Sequence, residues 1–184
     1  MSASITVTPT PEQIEASLRR WGSLLGDFAG FFRGLSRLVE RGIEKHIETG
    51  GEWSGPPLAT LSRAYAEWKE AHFPGRPTLV QTGALRASLR SGGSGNIRKV
   101  GANLADFGTS VEYADEVAEE RPVIRMPPQF DDLMTELYGA FVVLKMREAS
   151  VPLEWVSGTP LAALAAGGAS ESALIRAAAA RLGL

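Results

Sequence analysis

Apolar side chains recur at helical spacing from the N-terminal region onward: Ile14, Leu18, Trp21, Leu25, Phe28, Phe32, Leu35, Leu38 and Val39, followed by Ile43 and Ile47. The pattern predicts a helical region reaching about Thr49, where Gly50-Gly51 stops it. Its entrance is Thr8-Pro9-Thr10-Pro11-Glu12-Gln13: Thr10 suits a cap, Pro11 the first helical position, and Gln13 completes a capping box. Gly22, Gly26, Gly30 and Gly34 recur every fourth residue within it, and each costs about 1 kcal/mol relative to Ala inside a continuous helix. Two arrangements offset that cost. One is a break near Gly22 or Gly26 that makes a helical hairpin; the other is a small-residue stripe that lets a neighbouring helix approach closely, from the same subunit or another. Arg19, Arg20, Asp27, Arg33 and Arg37 interrupt the apolar surface and argue against a membrane dimerisation motif.

Further along, Glu52-Trp53-Ser54-Gly55-Pro56-Pro57 reads as a rigid loop. Leu58, Leu61, Tyr65 and Trp68 predict an amphipathic helix to about His72, broken by Phe73-Pro74-Gly75-Arg76-Pro77. Thr82 can cap a short helix carrying Leu85 and Leu89. From Gly92 to Glu120 glycine-rich turns separate short runs, Ile97 to Ala102 and Ala105 to Tyr113, which read as two or three antiparallel strands. Arg121 to Met126 reads as an edge strand because prolines flank it. Leu133 to Glu148 predicts a helix, with Asp131 and Asp132 at its start and Lys145 and Arg147 near its end, as the helix dipole favours. The remainder reads as an appended Ala- and Gly-rich tail with one or two short helices, of the kind that orders against a partner.

The fold class expected is therefore α+β: a long N-terminal helical region and a C-terminal helix packed on a small antiparallel sheet, with an Ala-rich C-terminal extension. The organisation expected is an N-terminal helical region over residues 1–50, a continuous α+β core over 51–148, and the extension over 149–184.

Composition agrees with one main globular domain, since 44% of the 184 residues are hydrophobic and 22% charged. A chain of this size buries roughly 70% of its unfolded surface, enough for a core without disulfides or a metal. The absence of cysteine excludes thiol nucleophiles and cysteine-ligated zinc. With 19 basic and 21 acidic side chains the formal net charge is -2, which argues against tight binding driven by nucleic-acid phosphates and leaves room only for transient DNA contact. No apolar run approaches the roughly 20 residues that cross a bilayer, and Met1 to Ile5 lacks the basic start of a signal peptide. A soluble protein that is not exported by that route is expected.

Candidate chemistry is sparse. His46 and His72 are far apart and in no zinc-ligand pattern, so each is read as a surface or helix-end residue. Asp115-Glu116 with Glu119-Glu120, and Asp131-Asp132, are read as solvated acids in place of a catalytic pair. Gly92-Gly93-Ser94-Gly95 lacks the Lys and Ser/Thr of a phosphate loop and reads as a flexible turn. Trp53, Tyr65, Trp68 and Phe73 lack the interleaved basic residues of a base-stacking platform and are read as core.

The order of elements carries a resemblance. A long helical region is followed by Gly51-Glu52-Trp53, Pro57-Leu58 and a helix containing Lys69. Then come Leu79-Val80-x-Thr82-Gly83-x-Leu85-x-x-Ser88, strands with Tyr113-Ala114, and Arg125-x-Pro127-x-x-Phe130 before a last helix. Over about residues 30 to 148 this resembles the phage virion morphogenesis or tail completion family, its Mu-type branch most. Asp115-Glu116-Val117-Ala118 stands where that family often has a His-Gln-x-Gly sequence, and Pro127-Pro128-Gln129-Phe130 approximates its usual ending.

The resemblance implies a non-enzymatic virion protein of a tailed bacteriophage, made in the host cytoplasm and added late, which completes the tail or neck at the head-tail junction. It implies no cofactor and no metal. Its partners would be copies of itself in a closed ring, a hexamer first and a dodecamer next, together with other neck, connector or tail proteins, and no membrane. Closed rings use heterologous interfaces. An edge strand around Val123 and the glycine stripe Gly26, Gly30 and Gly34 are the features suited to them. The motif residues Trp53, Pro57, Leu58, Thr82, Gly83, Leu85, Ser88, Tyr113, Arg125 and Phe130 are the other candidate interface positions, with core packing the simpler role for Trp53, Leu85 and Phe130. Rival readings are a tail terminator or head-tail adaptor of another family, a DNA-contacting module, and a small hydrolase built on the carboxylates near Asp115.

Overall fold

The computed structural model of the chain describes residues 11–151 and 158–184; the cap expected at Thr10 and the stop at Pro152 lie outside them. The fold is α+β, a mainly helical body with a two-stranded antiparallel sheet. The N-terminal helical region is broken where glycine permits it. Helix α1 spans Pro11–Leu25 and α2 spans Ala29–Glu48. Between them Asp27 Oδ1 accepts the Ala29 N–H at 2.9 Å, supplying the cap that α2 needs.

Helix α2 is the spine of the molecule, and two apolar clusters meet along it. Phe28, Phe31 and Leu38 pack with Leu133, Leu137, Phe141 and Leu144 of α6 (Phe130–Glu148). The same cluster contains Leu161 and Ala165 of α7 (Pro160–Ala166), and Leu174 and Ala178 of α8 (Glu171–Arg181). The C-terminal segment expected as an appended tail is thus part of the main core. Leucine and alanine recur there at helical spacing, so each short helix has one narrow apolar face that fits against α6 at close range. Thr159 accepts the Ala162 N–H and Ser170 the Ala173 N–H, each at 3.3 Å, and these caps start α7 and α8.

The second cluster joins Ile43 and Ile47 of α2 to Val80, Leu85, Leu89 and Val123. Strands β1 (Asn96–Val100) and β2 (Ala105–Thr109) pair with Asn96 opposite Thr109 and Val100 opposite Ala105. Two strands alone are marginal in water, and this hairpin leans on α2 and on α4 (Ala84–Ser88). The expected packing of the C-terminal helix on the sheet is not what forms; α6 lies instead against α1, α7 and α8.

Two further expectations change. Ala114–Glu120, expected to be part of a strand region, is helix α5. Its alanines and glutamates are good helix formers, Asp115 and Glu116 sit in its first turn, and Val111, Ala114 and Val117 face the second cluster at a three-residue spacing that a strand does not have. Arg121 to Met126 forms no ladder among the described residues, where the sheet has only β1 and β2. Val123 is buried and the Pro122 carbonyl is used by His46, so this segment is packed chain and not an open edge. The amphipathic helix expected from Leu58 begins later, as α3 (Arg63–His72), with Ser62 as its cap; Leu58 instead donates its N–H to the Gly50 carbonyl at 2.8 Å.

Candidate functional site

The residues that carry the family resemblance fall into two linked groups. In the first, Arg125 reaches back to the loop after α2. Its Nε donates to Ser54 Oγ at 3.1 Å, and its Nη2 donates to the Gly51 carbonyl at 3.2 Å and to the Pro56 carbonyl. Gly51 has φ +95°, and a Cβ there would stand 2.8 Å from Arg125 Nη2 and 3.0 Å from the Leu58 nitrogen, so only glycine fits. Leu58 is buried, Pro57 is exposed, and half-buried Trp53 donates its Nε1–H to the Leu182 carbonyl at 2.8 Å. Phe130 opens α6 and packs partly against the main core.

His46 joins this group in the last turn of α2, in the helix-end role but fully inside the protein and not on the surface. Its Nε2 lies 2.7 Å from the Pro122 carbonyl and its Nδ1 2.6 Å from Ser54 Oγ. A carbonyl only accepts, so Nε2 carries the proton and the neutral ring accepts from Ser54 through Nδ1. Burial pushes the pKa of His46 below its ordinary value; the Pro122 carbonyl acts in the opposite sense, and the nearby Arg125 charge lowers it further.

The second group is built on α4. Gly83, at φ +89°, holds the cap position, and Thr82 Oγ1 accepts the Ala84 N–H at 3.3 Å from one residue earlier. Ser88 is buried; its hydroxyl donates to the Leu85 carbonyl at 2.8 Å and meets Thr109 Oγ1 at 2.6 Å, which ties α4 to β2. Thr82, Gly83 and Leu85 share a groove of about 150 Å³ with Tyr113 and with Tyr65 of α3. Lys69, also in the motif, is buried: its ammonium donates to the carbonyls of Arg76, Pro77 and Thr78, which satisfies all three of its N–H groups. Burial lowers its pKa, the Glu70 charge opposing.

That anchor fixes α3 with two aromatic side chains outward. Tyr65 and Trp68 are 40% and 41% exposed, against the expectation that they are core. They stack at 5.5 Å, and Trp68 stacks in turn on His72 at 4.7 Å, with Phe73 edge-on at 5.9 Å. They escape the core because the inward line of α3 is Ala66, Lys69 and Phe73, the positions from 62 to 73 that are not exposed. Tyr65 and Trp68 each precede a residue of that line, which turns them about 100° away from it.

The glycine stripe is not brought to this site. Gly30 faces the Glu171 carboxylate and Gly34 faces Ile175, both from α8 of the same subunit, so the close neighbour is internal. Gly26 faces only carbonyls of its own preceding turn. Gly42, further along α2, gives the same close approach to Met126 and Trp53. In the turn Gly92 to Gly95, Gly92 and Ser94 are exposed, while Gly93 lies so close to the Ala87 carbonyl that a Cβ there would clash with backbone.

Sequence reasoning missed a charged seam. Glu40, Glu44 and Glu48 lie on one line along α2 and meet Arg98, Arg90 and Arg86: Arg98 to Glu40 at 3.2 Å, Arg90 to Glu44 at 2.5 Å, Arg86 to Glu48 at 3.0 Å and also to Glu44. The four-residue spacing of the glutamates, and of Arg86 with Arg90, was the available signal. The acids of α5 and Asp131-Asp132 are exposed. Among the described residues no three His, Asp or Glu side chains gather in a way that could hold a metal, and no helix is long and apolar enough to cross a membrane. No family model, no curated protein and no solved structure matches the chain.

Proposed function

We propose that this chain is a structural, non-catalytic subunit of a tailed-phage virion, a tail completion or neck component that works as a ring at the head-tail junction, with six copies favoured. The observation that carries the reading is the anchoring of α3. Lys69, a residue of the motif, commits its ammonium to three backbone carbonyls, and the result is a fixed helix that displays Tyr65 and Trp68 to solvent. Stacked, exposed aromatic side chains on a rigid element are what protein-protein contacts use, because they bury large area at small entropic cost. Ser88 and Arg125 are likewise engaged with the chain's own backbone, as an assembly scaffold requires.

The test is assembly. Purified protein viewed by electron microscopy and weighed by light scattering should form closed rings, and antibody labelling should place it at the head-tail junction of particles. Tyr65→Ser with Trp68→Ser should leave the circular dichroism of the fold intact while weakening association with itself or with purified tails. A monomer at all concentrations that also fails to bind tails would overturn the reading. Labelling at the far end of the tail would point to a different virion position.

A further inference from the structure

A groove of about 360 Å³ runs between α2 and α8, lined by Arg33, Arg37 and Arg41 from α2 and Arg176 from α8. All four are exposed, and none has a partner for its guanidinium among the described residues. The three on α2 are four residues apart, which sets successive charges roughly 6 Å apart along one line. Glu171 is the one carboxylate among the described residues of the groove, and it pairs with Lys145 at 3.7 Å. The adjoining line on the same helix, Glu40, Glu44 and Glu48, is matched by arginines throughout. Four neighbouring cations unmatched among the described residues repel one another and favour an anionic partner.

The chain carries a complement to this groove. Glu112, Asp115, Glu116 and Glu119, on and just before α5, are exposed and also lack a partner among the described residues. Glu112 with Glu116, and Asp115 with Glu119, repeat the four-residue spacing of the arginines. The basic and acidic sets do not meet within the subunit: the groove borders the main core, and α5 packs on the second cluster. A contact that joins one patch to a different patch on the next copy is heterologous, the kind that closes into rings.

We infer that the Arg33, Arg37, Arg41 and Arg176 groove receives the acidic α5 face of a second copy of this chain. This rests on the ring reading and adds which surfaces meet. Nucleic acid fits less well: the chain's net charge is -2, Glu171 sits in the groove, and no aromatic side chain among the described residues lines it for base stacking.

The experiment uses the full chain and reads dissociation constants by sedimentation velocity, with circular dichroism as the check on folding. Arg33→Glu/Arg37→Glu/Arg41→Glu should weaken self-association by at least about 100-fold, the scale of juxtaposed like charges. Asp115→Arg/Glu116→Arg/Glu119→Arg should do the same. A one-to-one mixture of the two variants should reassemble, since every contact then joins opposite charges. The neutral variant Arg33→Gln/Arg37→Gln/Arg41→Gln avoids introduced repulsion and should weaken association by about 10-fold and flatten its salt dependence. Wild-type protein that stays monomeric down to low salt overturns the ring reading and this inference together. Wild-type rings that neither arginine variant disturbs overturn the inference alone. Rings that persist while retention of duplex DNA is lost reassign the groove to nucleic acid.

Discussion

Along α2 the protein passes from one kind of interior to another. Its first half, with α6, α7 and α8, encloses a core of phenylalanine, leucine and alanine in which Leu137, Ala140, Phe141 and Ala165 are wholly buried. Its second half, with the motif loop, α4, the hairpin and α5, has a smaller apolar cluster with buried polar side chains around it: His46, Ser54 and Lys69 bind irregular backbone, and Ser88 links α4 to Thr109 of β2. Helices satisfy most of their own backbone groups, so the helical half rests mainly on shape and apolar area, with side-chain bonds at helix ends such as Glu136 to the Leu161 N–H. Loops do not, and each buried carbonyl of the mixed half requires a donor from elsewhere in the chain. The helical half should therefore unfold as one unit, and the mixed half should open locally when a single donor is lost.

The largest effect is expected at Phe141, which packs edge-on against Phe31 at 5.2 Å in the middle of the helical core. Phe141→Ala should cost about 3–5 kcal/mol in denaturant titration. Because α2 is common to both halves, amide exchange should speed up in α4 and β1 as well as in α6 and α8. A loss confined to α6 would mean that the two halves are not coupled through α2.

What was legible in the sequence divides along the same line. The break after Gly26 and the extent of α6 follow from periodicity, glycine and end charges, signals that local spacing carries. The Ala-rich segment concealed its packing, because small side chains give low hydrophobic contrast even where, as at Ala165 and Ala178, they are fully buried. Helix α5 was hidden by the acids on its outer face and by a single apolar residue in each turn. In the mixed half the motif residues stand out in the sequence as a pattern, but their work does not, because Arg125 with Gly51 and Ser88 with Thr109 are long-range pairs that spacing does not encode.

A smaller, local effect should follow from Arg125→Met, which keeps much of the side chain's volume and removes the guanidinium's own bonds to the Gly51 and Pro56 carbonyls and to Ser54. The cost should be about 1–3 kcal/mol, the range for hydrogen bonds from charged donors. Exchange should accelerate across residues 51–58 while α6 and α8 keep their protection. Uniform acceleration throughout would show that the motif loop belongs to the same cooperative unit as the helical core, and the contrast between the halves would have to be abandoned.

The finest distinction comes from His46, since the mixed half depends on this buried histidine in its neutral form while the chain's other histidine, His72, is exposed. Its folded pKa lies below the ordinary 6.5, with burial the main cause. As pH falls through about 6.5 the unfolded chain takes up the proton first, so stability is lost from there downward until the folded pKa is reached. The slope for this one group is at most about 1.4 kcal/mol per pH unit; above about pH 7.5 the group contributes nothing to the slope, because both states are neutral. Protonation would turn Nδ1 from acceptor to donor toward Ser54 and set a second cation beside Arg125, so the opening should begin in the motif loop. His46→Gln can still donate to the Pro122 carbonyl but does not titrate. The stability difference between wild type and His46→Gln should stay constant above about pH 7.5 and narrow between about pH 6.5 and 5.5. Parallel curves across that window would show that His46 does not set the acid sensitivity; loss of stability only below about pH 5 would instead fall to the carboxylates, Glu136 first, since hydrogen bonds from Leu161 and Arg181 outweigh its burial and hold its pKa down.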